Sequence, residues 1–296
     1  MNEIRYINRR QMLKTTGSAA LAGLTFSAGC QSPTTTKRKP QGFLIGACDW
    51  SLGKMADPEA LKVASQVGLD GVQISMGTLK DNMHTRKPEV QAAYLQATQK
   101  YNVKIASLAI GELNSIPYKS DPRTEQWVSD SIDVCQALNI NVVLLAFFSK
   151  GDLRKDPKGK AEVVRRLKKV APKAEDAGVI LGIESWLSAE ELMDMIDKIG
   201  SPNIQVYYDV GNTNKSSYDI YREIRFLNKH ICEFHAKDYN GTMGHGSVDF
   251  AKVRKAMDDI GYRGWIQWEG VKLPQGRLET CTTDVQYLRT IFPRQV

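Results

Sequence analysis

Four short apolar runs between residues 179 and 269 each end on a side chain that can ligate a metal ion: VILGIE at Glu184, IQVYYD at Asp209, ICEFH at His235 and WIQWE at Glu269. Singly, each has an ordinary explanation, since a carboxylate at a strand end often caps the next helix and a lone histidine on a strand is often a satisfied core residue. Four on four successive runs point to one centre. Two glutamates, one aspartate and one histidine without a thiolate form an oxygen-rich donor set, which favours Mn2+ or Mg2+ and leaves Co2+ and Zn2+ as further options. Such a centre sheds its metal on acidification, as His235 and the carboxylates take up protons.

These side chains converge only if the four runs are parallel strands, side by side and pointing the same way. The rest of the chain supplies the missing staves. From residue 42 onward, strand patterns over 43–48, 71–75, 104–110, 141–147, 179–184, 204–209, 231–235 and 265–269 alternate with helical patterns over 58–67, 88–100, 122–138, 158–177, from 188 onward, 218–228, 250–260 and 279–291. Ser188 and Glu191 fit a capping box at the start of the fifth helix. Eight of each predict an α/β protein with a closed (β/α)8 barrel, whereas an open doubly wound sheet usually stops at five or six strands. No glycine-rich dinucleotide fingerprint or P-loop follows the first strand.

In such a barrel the carboxyl ends of the strands carry the chemistry. The long connections after strands two, three and seven are expected to build that face. They carry His84, Glu112, and the pair Lys237 and His245, all candidate substrate contacts, with Lys237 and His245 also able to serve as acid or base. Trp186 can stack on a ring of a bound molecule, Asn212 can hold a hydroxyl or a ligand, and Trp50 is either core or pocket wall. Side chains alternate along a strand, so the residues two before the ligands, Gly182, Tyr207, Glu233 and Gln267, face the same interior. Three polar groups beneath a metal are costly unless hydrogen-bonded, so Tyr207, Glu233 and Gln267 are predicted to form a network supporting the ligands.

The segments Gly182-Ile183-Glu184, Tyr208-Asp209-Val210-Gly211-Asn212, Phe234-His235-Ala236-Lys237-Asp238, Gly244-His245-Gly246-Ser247-Val248-Asp249 and Trp268-Glu269-Gly270 resemble those of the sugar phosphate isomerase/epimerase superfamily, which has a xylose-isomerase-like TIM barrel and includes D-tagatose 3-epimerase and inosose dehydratase. The likeness spans about 43–293. It implies one divalent metal on Glu184, Asp209, His235 and Glu269, with Glu184 and Glu269 also moving a proton at the carbon beside a carbonyl through an enediolate. Two departures stand out. Relatives carry histidine three positions after the aspartate, where this chain has Asn212, and an Asn-Arg-Phe-Glu segment after the glutamate, where it has Ser185-Trp186-Leu187. Glu190 sits where relatives keep a substrate-binding glutamate, but it also belongs to a helix start.

Residues 1–30 resemble a twin-arginine export leader, with Arg9-Arg10 followed by Met12-Leu13-Lys14 and a small, apolar run. Ser27-Ala28-Gly29-Cys30 resembles a lipobox, which would put a lipid anchor on Cys30; residues 31–41 read as a linker and 42–296 as the barrel. The expected partner is the twin-arginine export machinery, and the expected location is the periplasm, free or membrane-anchored. The formal net charge of the 296-residue chain is +7, from 40 Lys and Arg against 33 Asp and Glu. Seven of the basic residues and one acid lie in 1–40, leaving the barrel near +1, so a nucleic-acid partner is not expected. Cys48, Cys135, Cys232 and Cys281 lack metal or redox spacing and read as buried free thiols, although export would also permit one disulfide.

Export favours a carbohydrate without phosphate: a free sugar, sugar acid or cyclitol. Elimination or hydrolysis of a 3-keto-glycoside, or dehydration of a keto-cyclitol, uses the same enediolate chemistry and is the alternative. A non-catalytic sugar-binding lipoprotein is the rival of another class. A DNA-repair endonuclease with this barrel would need more histidines than the four present.

Overall fold

A computed structural model describes residues 42–294; the leader, Cys30 and the linker lie outside the described residues. The chain runs β1 (Leu44–Cys48), α1 (Ala60–Val67), β2 (Gly71–Ser75), α2 (Pro88–Tyr101), β3 (Lys104–Ile110), α3 (Arg123–Leu138), β4 (Val142–Phe147), α4 (Pro157–Ala177) and β5 (Ile180–Ser185). It continues through α5 (Ala189–Ile199), β6 (Ile204–Asp209), α6 (Val210–Lys215), α7 (Ile220–Leu227), β7 (Ile231–Ala236), α8 (Phe250–Asp259), β8 (Trp265–Trp268) and α9 (Arg277–Ile291). Each strand pairs in parallel with the next and β8 pairs with β1, which closes the barrel.

The strands are buried on both faces, which is why β4 reads as the unbroken apolar run VVLLAF. Helices end on residues that accept a left-handed backbone, Gly68, Asn102, Asn139, Gly178 and Gly200. The large apolar core lies between the strands and the helical ring, with Phe43, Ile74, Leu108, Phe147, Ile183 and Phe234 fully enclosed. A smaller cluster fills the barrel interior. It includes Ala109, Leu144 and Ala146; the buried polar residues Gln73, Ser107, Glu233 and Gln267 share that interior.

Local chemistry shifts several element boundaries. The helix expected over 218–228 is α7, which Asp219 caps by accepting from Tyr221 N and Arg222 N; before it stands a short helix that was not expected, α6, capped by Asp209. The first helix begins at Ala60 rather than residue 58; Asp57 accepts from Glu59 N and shapes a preceding turn instead. The last begins at Arg277 rather than residue 279. Glu269 falls one residue past β8, but its N–H still bonds Ala236 O at 2.9 Å, so it continues the ladder.

One loop is tied down by a buried acid. Asp49 accepts from Ala56 N at 2.8 Å, Ser75 N at 2.6 Å and Ser75 Oγ at 2.7 Å, fastening the β1 loop to β2 and holding Trp50 over the barrel mouth. Among the described residues no helix is long and apolar enough to cross a membrane, and the four cysteines are free thiols.

The capping box at α5 is complete: Ser188 Oγ accepts from Glu191 N, and Glu191 Oε2 accepts from Ser188 N. Replacing Ser188 with alanine is expected to cost about 1 kcal/mol in urea unfolding while leaving metal affinity unchanged.

Candidate metal centre

Glu184, Asp209, His235 and Glu269 stand at the carboxyl ends of β5, β6, β7 and β8, and one ligand atom from each lies within 4.8 Å of every other. Register brings this about: Asp209 lies opposite His235 across the β6–β7 ladder. His235 Nδ1 faces the acids, 2.9 Å from Glu184 Oε1, 3.3 Å from Glu269 Oε2 and 3.8 Å from Asp209 Oδ2. Donors arranged around one divalent ion at about 2.1 to 2.5 Å are at most roughly 4 to 5 Å apart, so the spacing and the oxygen-rich set both fit such an ion.

A fifth group belongs to the cluster. Lys237 Nζ lies 2.8 Å from Glu269 Oε2 and 3.4 Å from Asp209 Oδ2, almost fully buried. Gly211 permits this, since a Cβ there would come within 2.7 Å of Lys237 O and 2.8 Å of its Cβ. Burial alone would raise the Asp209 carboxyl, but the Lys237 ammonium and His235 outweigh it and bring it down to about 2. Glu184 has no such ammonium beside it, and burial pushes it up to about 7 against the pull of His235.

Asn212, expected to hold a hydroxyl or a ligand, holds a ligand candidate while also lining the cavity above it. Its backbone N–H and its Nδ2 bond the two oxygens of Asp209, at 2.9 and 2.8 Å, and its Oδ1 accepts from Tyr239 O–H at 2.7 Å. Trp50 Nε1 donates to Glu269 Oε1 at 3.2 Å, which makes it pocket wall rather than core. Tyr239 was invisible as a site residue because nothing distinguishes a loop tyrosine by type; its place two residues after Lys237 was the usable signal.

Beneath the ligands, Glu233 Oε1 accepts from Tyr207 O–H at 3.0 Å, Ser107 Oγ at 2.9 Å and Gln267 Nε2 at 2.6 Å. Gln73 extends this network upward, its Nε2 reaching Ser107 Oγ at 3.1 Å and Tyr207 O–H at 2.8 Å and its Oε1 lying 2.8 Å from His235 Nε2. Gly182, the remaining inward position, is bare because Tyr207 and Cys232 take its space. Gln73 and Ser107 lie on β2 and β3, outside the strands that carry ligands; the same alternation applied there would have found them.

Above the ligands opens a cavity of about 490 Å³, walled in part by Trp50, Glu112, Phe148, Trp186, Lys237 and Tyr239. Trp186 packs on Phe148, ring centroids 5.0 Å apart, and Arg154 lies over its other side at 4.5 Å. Glu112 reaches the wall from the short helical turn after β3. His84 and His245, expected as substrate contacts, do not line the cavity. The His84 ring ties loops together, with Nε2 2.8 Å from Ala56 O and Nδ1 3.2 Å from Asp81. His245 is exposed in a glycine-flanked turn. Glu190 is paired with Arg222 at the surface.

Residues 61–290 match the model of the family described as xylose isomerase-like TIM barrel. The chain belongs to this family. Within the xylose isomerase-like barrels it is 24% identical over 247 residues to a D-psicose 3-epimerase of Enterocloster bolteae, covering 77% of this chain and 80% of that one. A D-allulose 3-epimerase from Methylomonas sp., solved with D-allulose, superposes with a TM-score of 0.69 at 17% identity, over 86% of this chain and 98% of the other. A 3-keto-D-glucoside 4-epimerase from E. coli superposes with the same TM-score of 0.69 at 12% identity, over 84% and 99%.

In this xylose isomerase-like barrel a metal ion must displace any proton on Glu184. Burial would lower the His235 imidazole, but the acids around Nδ1 outweigh it and hold it well above its usual range, so His235 must give up a proton as well. Mn2+ affinity is therefore expected to fall, by up to about tenfold per unit for each proton displaced, as the pH drops from about 8 to about 5.5, and calorimetric titrations across that range read the slope. Asn212→Ala frees Asp209 to rotate and is expected to weaken Mn2+ binding about 10- to 100-fold, measured the same way with circular dichroism as the check on folding.

Proposed function

We propose that the chain is a divalent-metal-dependent isomerase or epimerase that moves a proton at the carbon beside a carbonyl of a sugar without phosphate. The observation that carries this reading is a pair of glutamates, Glu184 and Glu269, which line one cavity and both reach His235 Nδ1. Mn2+ or Mg2+ is the favoured ion on this donor set. When bound, it would polarise the substrate carbonyl and a neighbouring hydroxyl and lower the cost of an enediolate.

The residues divide the remaining work. Glu184, pushed up to about 7 by burial, is poised to exchange a proton near neutral pH. Glu269 is the second proton carrier, aimed by Trp50 Nε1 and Lys237. Lys237 presents its ammonium to the cavity, where it can hold the oxygen that gains negative charge. Asp209 and His235 remain ligands.

The cavity wall supports a substrate without phosphate. Lys237 is the only Lys or Arg among the described residues that line it, and it is already shared by Asp209 and Glu269. Arg154, the next guanidinium, is held bidentate by Asp152 behind Trp186. The Phe148–Trp186 wall favours a second reading, in which a glycosidic partner stacks there and a 3-keto-glycoside undergoes elimination or hydrolysis. Export through the twin-arginine machinery to the periplasm, with or without a lipid on Cys30, accords with such substrates and is proposed from the leader alone.

Incubating the Mn2+-loaded enzyme in deuterated water with free ketoses, inososes and 3-keto-glycosides is expected to introduce deuterium beside the carbonyl of at least one, with the phosphorylated counterpart no better. Glu184→Gln and Glu269→Gln are each expected to slow exchange by about 10²- to 10⁴-fold with the fold intact. A protein that binds sugar tightly without exchange would instead be a binding protein.

A further inference from the structure

The hydrogen bonds under the ligands run in one direction only. A hydroxyl has a single proton to give. Ser107 and Tyr207 each give theirs to Glu233 Oε1, so both turn a lone pair toward Gln73. The Gln73 amide group spends its two hydrogens on them, at 3.1 and 2.8 Å. What remains to face His235 Nε2, 2.8 Å away, is the Gln73 carbonyl oxygen; Cys48 Sγ lies 3.4 Å from both that oxygen and Nε2 and is the weaker neighbour of each. A ring nitrogen against an acceptor must carry the hydrogen.

Reversing the amide would place a carbonyl oxygen before both hydroxyls and draw their protons off Glu233. That carboxylate is buried, and its other oxygen has no hydrogen-bond partner. It would be left with Gln267 alone. The opposite arrangement therefore costs a buried charge two of its three donors.

We infer that Glu233, acting through Ser107, Tyr207 and Gln73, keeps a proton on Nε2 of His235 and thereby commits Nδ1 as the ligating atom. The last step rests on the metal-centre reading; the position of the proton does not. Gln73 is thus a positioning residue that touches neither substrate nor metal. With the proton on Nδ1 instead, the ring would point a hydrogen into the space the ion needs, and the lone pair would face away into the network. The sequence hides this link because Gln73 lies on β2, 162 residues from His235 in the chain.

Nitrogen-15 NMR of histidine-labelled protein, with the His235 signal assigned by its loss in His235→Gln, tests the inference. Zn2+, being diamagnetic, is the metal probe. Wild-type protein is expected to show a hydrogen-bonded Nε2 proton with and without Zn2+, and Zn2+ is expected to shift Nδ1. Gln73→Met keeps the bulk, removes the acceptor and is expected to abolish that hydrogen bond and weaken Zn2+ binding about 10- to 100-fold by calorimetry. Tyr207→Phe removes one of the two acceptors of Gln73 while keeping the ring against His235, and is expected to give a smaller loss of the same kind, which serves if Gln73→Met does not fold. An unprotonated Nε2 in the wild type, Zn2+ on Nε2, or a variant with unchanged signal and affinity overturns the inference. Should Zn2+ fail to bind the wild type, the metal reading fails, while the metal-free Nε2 signal still decides the relay.

Discussion

Three carboxylates cannot share a buried space of a few ångströms without compensation, and the site is arranged around that constraint. Two like charges 4 Å apart repel by roughly 4 kcal/mol even at the effective dielectric of a protein surface. Here Glu184, Asp209 and Glu269 are gathered at that scale, Asp209 beneath the surface and Glu184 nearly so. Cationic and dipolar groups answer them from every neighbouring element: Lys237 from the end of β7, Asn212 from α6, Trp50 from the β1 loop and His235 from the centre. From the ligands alone, three negative charges against a divalent ion leave the site slightly anionic. Lys237 removes that excess, so a filled site would be neutral, and a proton passed from substrate to Glu184 or Glu269 within it would leave that balance unchanged.

Most of the frame could be read from periodicity, because a strand buried on both faces and a helix buried on one leave different marks. The boundaries of β2, β3 and β6 agree with the apolar runs, and the capping box fixed the start of α5. The short α6, which no apolar period announces, shows the limit. Val210 to Lys215 carry glycine and asparagine, which argue against helix on propensity, yet α6 forms because Asp209 caps it and its first turn packs on Lys237.

The four converging side chains were legible because each ends an apolar run, and the inward layer because alternation is strict. Asn212, His84 and His245 show what residue type alone leaves open. All three are polar residues near the carboxyl ends of the strands, Asn212 in α6 and the two histidines in connections, but which way such a side chain turns depends on the partners it finds. His84 is taken by Ala56 O and Asp81, and Asn212 by Asp209 and Tyr239. Gln73 and Ser107 fall in the same class: ordinary residues on strands without a ligand, whose importance appears only when opposite staves of the barrel are seen across its axis.

The interior described above is apolar around Ala109, Leu144 and Ala146 and hydrogen-bonded from Gln73 and Ser107 across to Tyr207, Glu233 and Gln267. This asymmetry has a consequence for how such a protein changes over time. Substitutions among the hydrogen-bonded residues disturb several partners at once, so that half is constrained to drift slowly. The wall formed by Phe148, Trp186 and Glu112 rests on shape and stacking, and each of its members can be exchanged without disturbing a proton network. New substrate preferences can therefore accumulate on one side of the barrel while the other preserves the chemistry, and the two halves can evolve at different rates within a single chain.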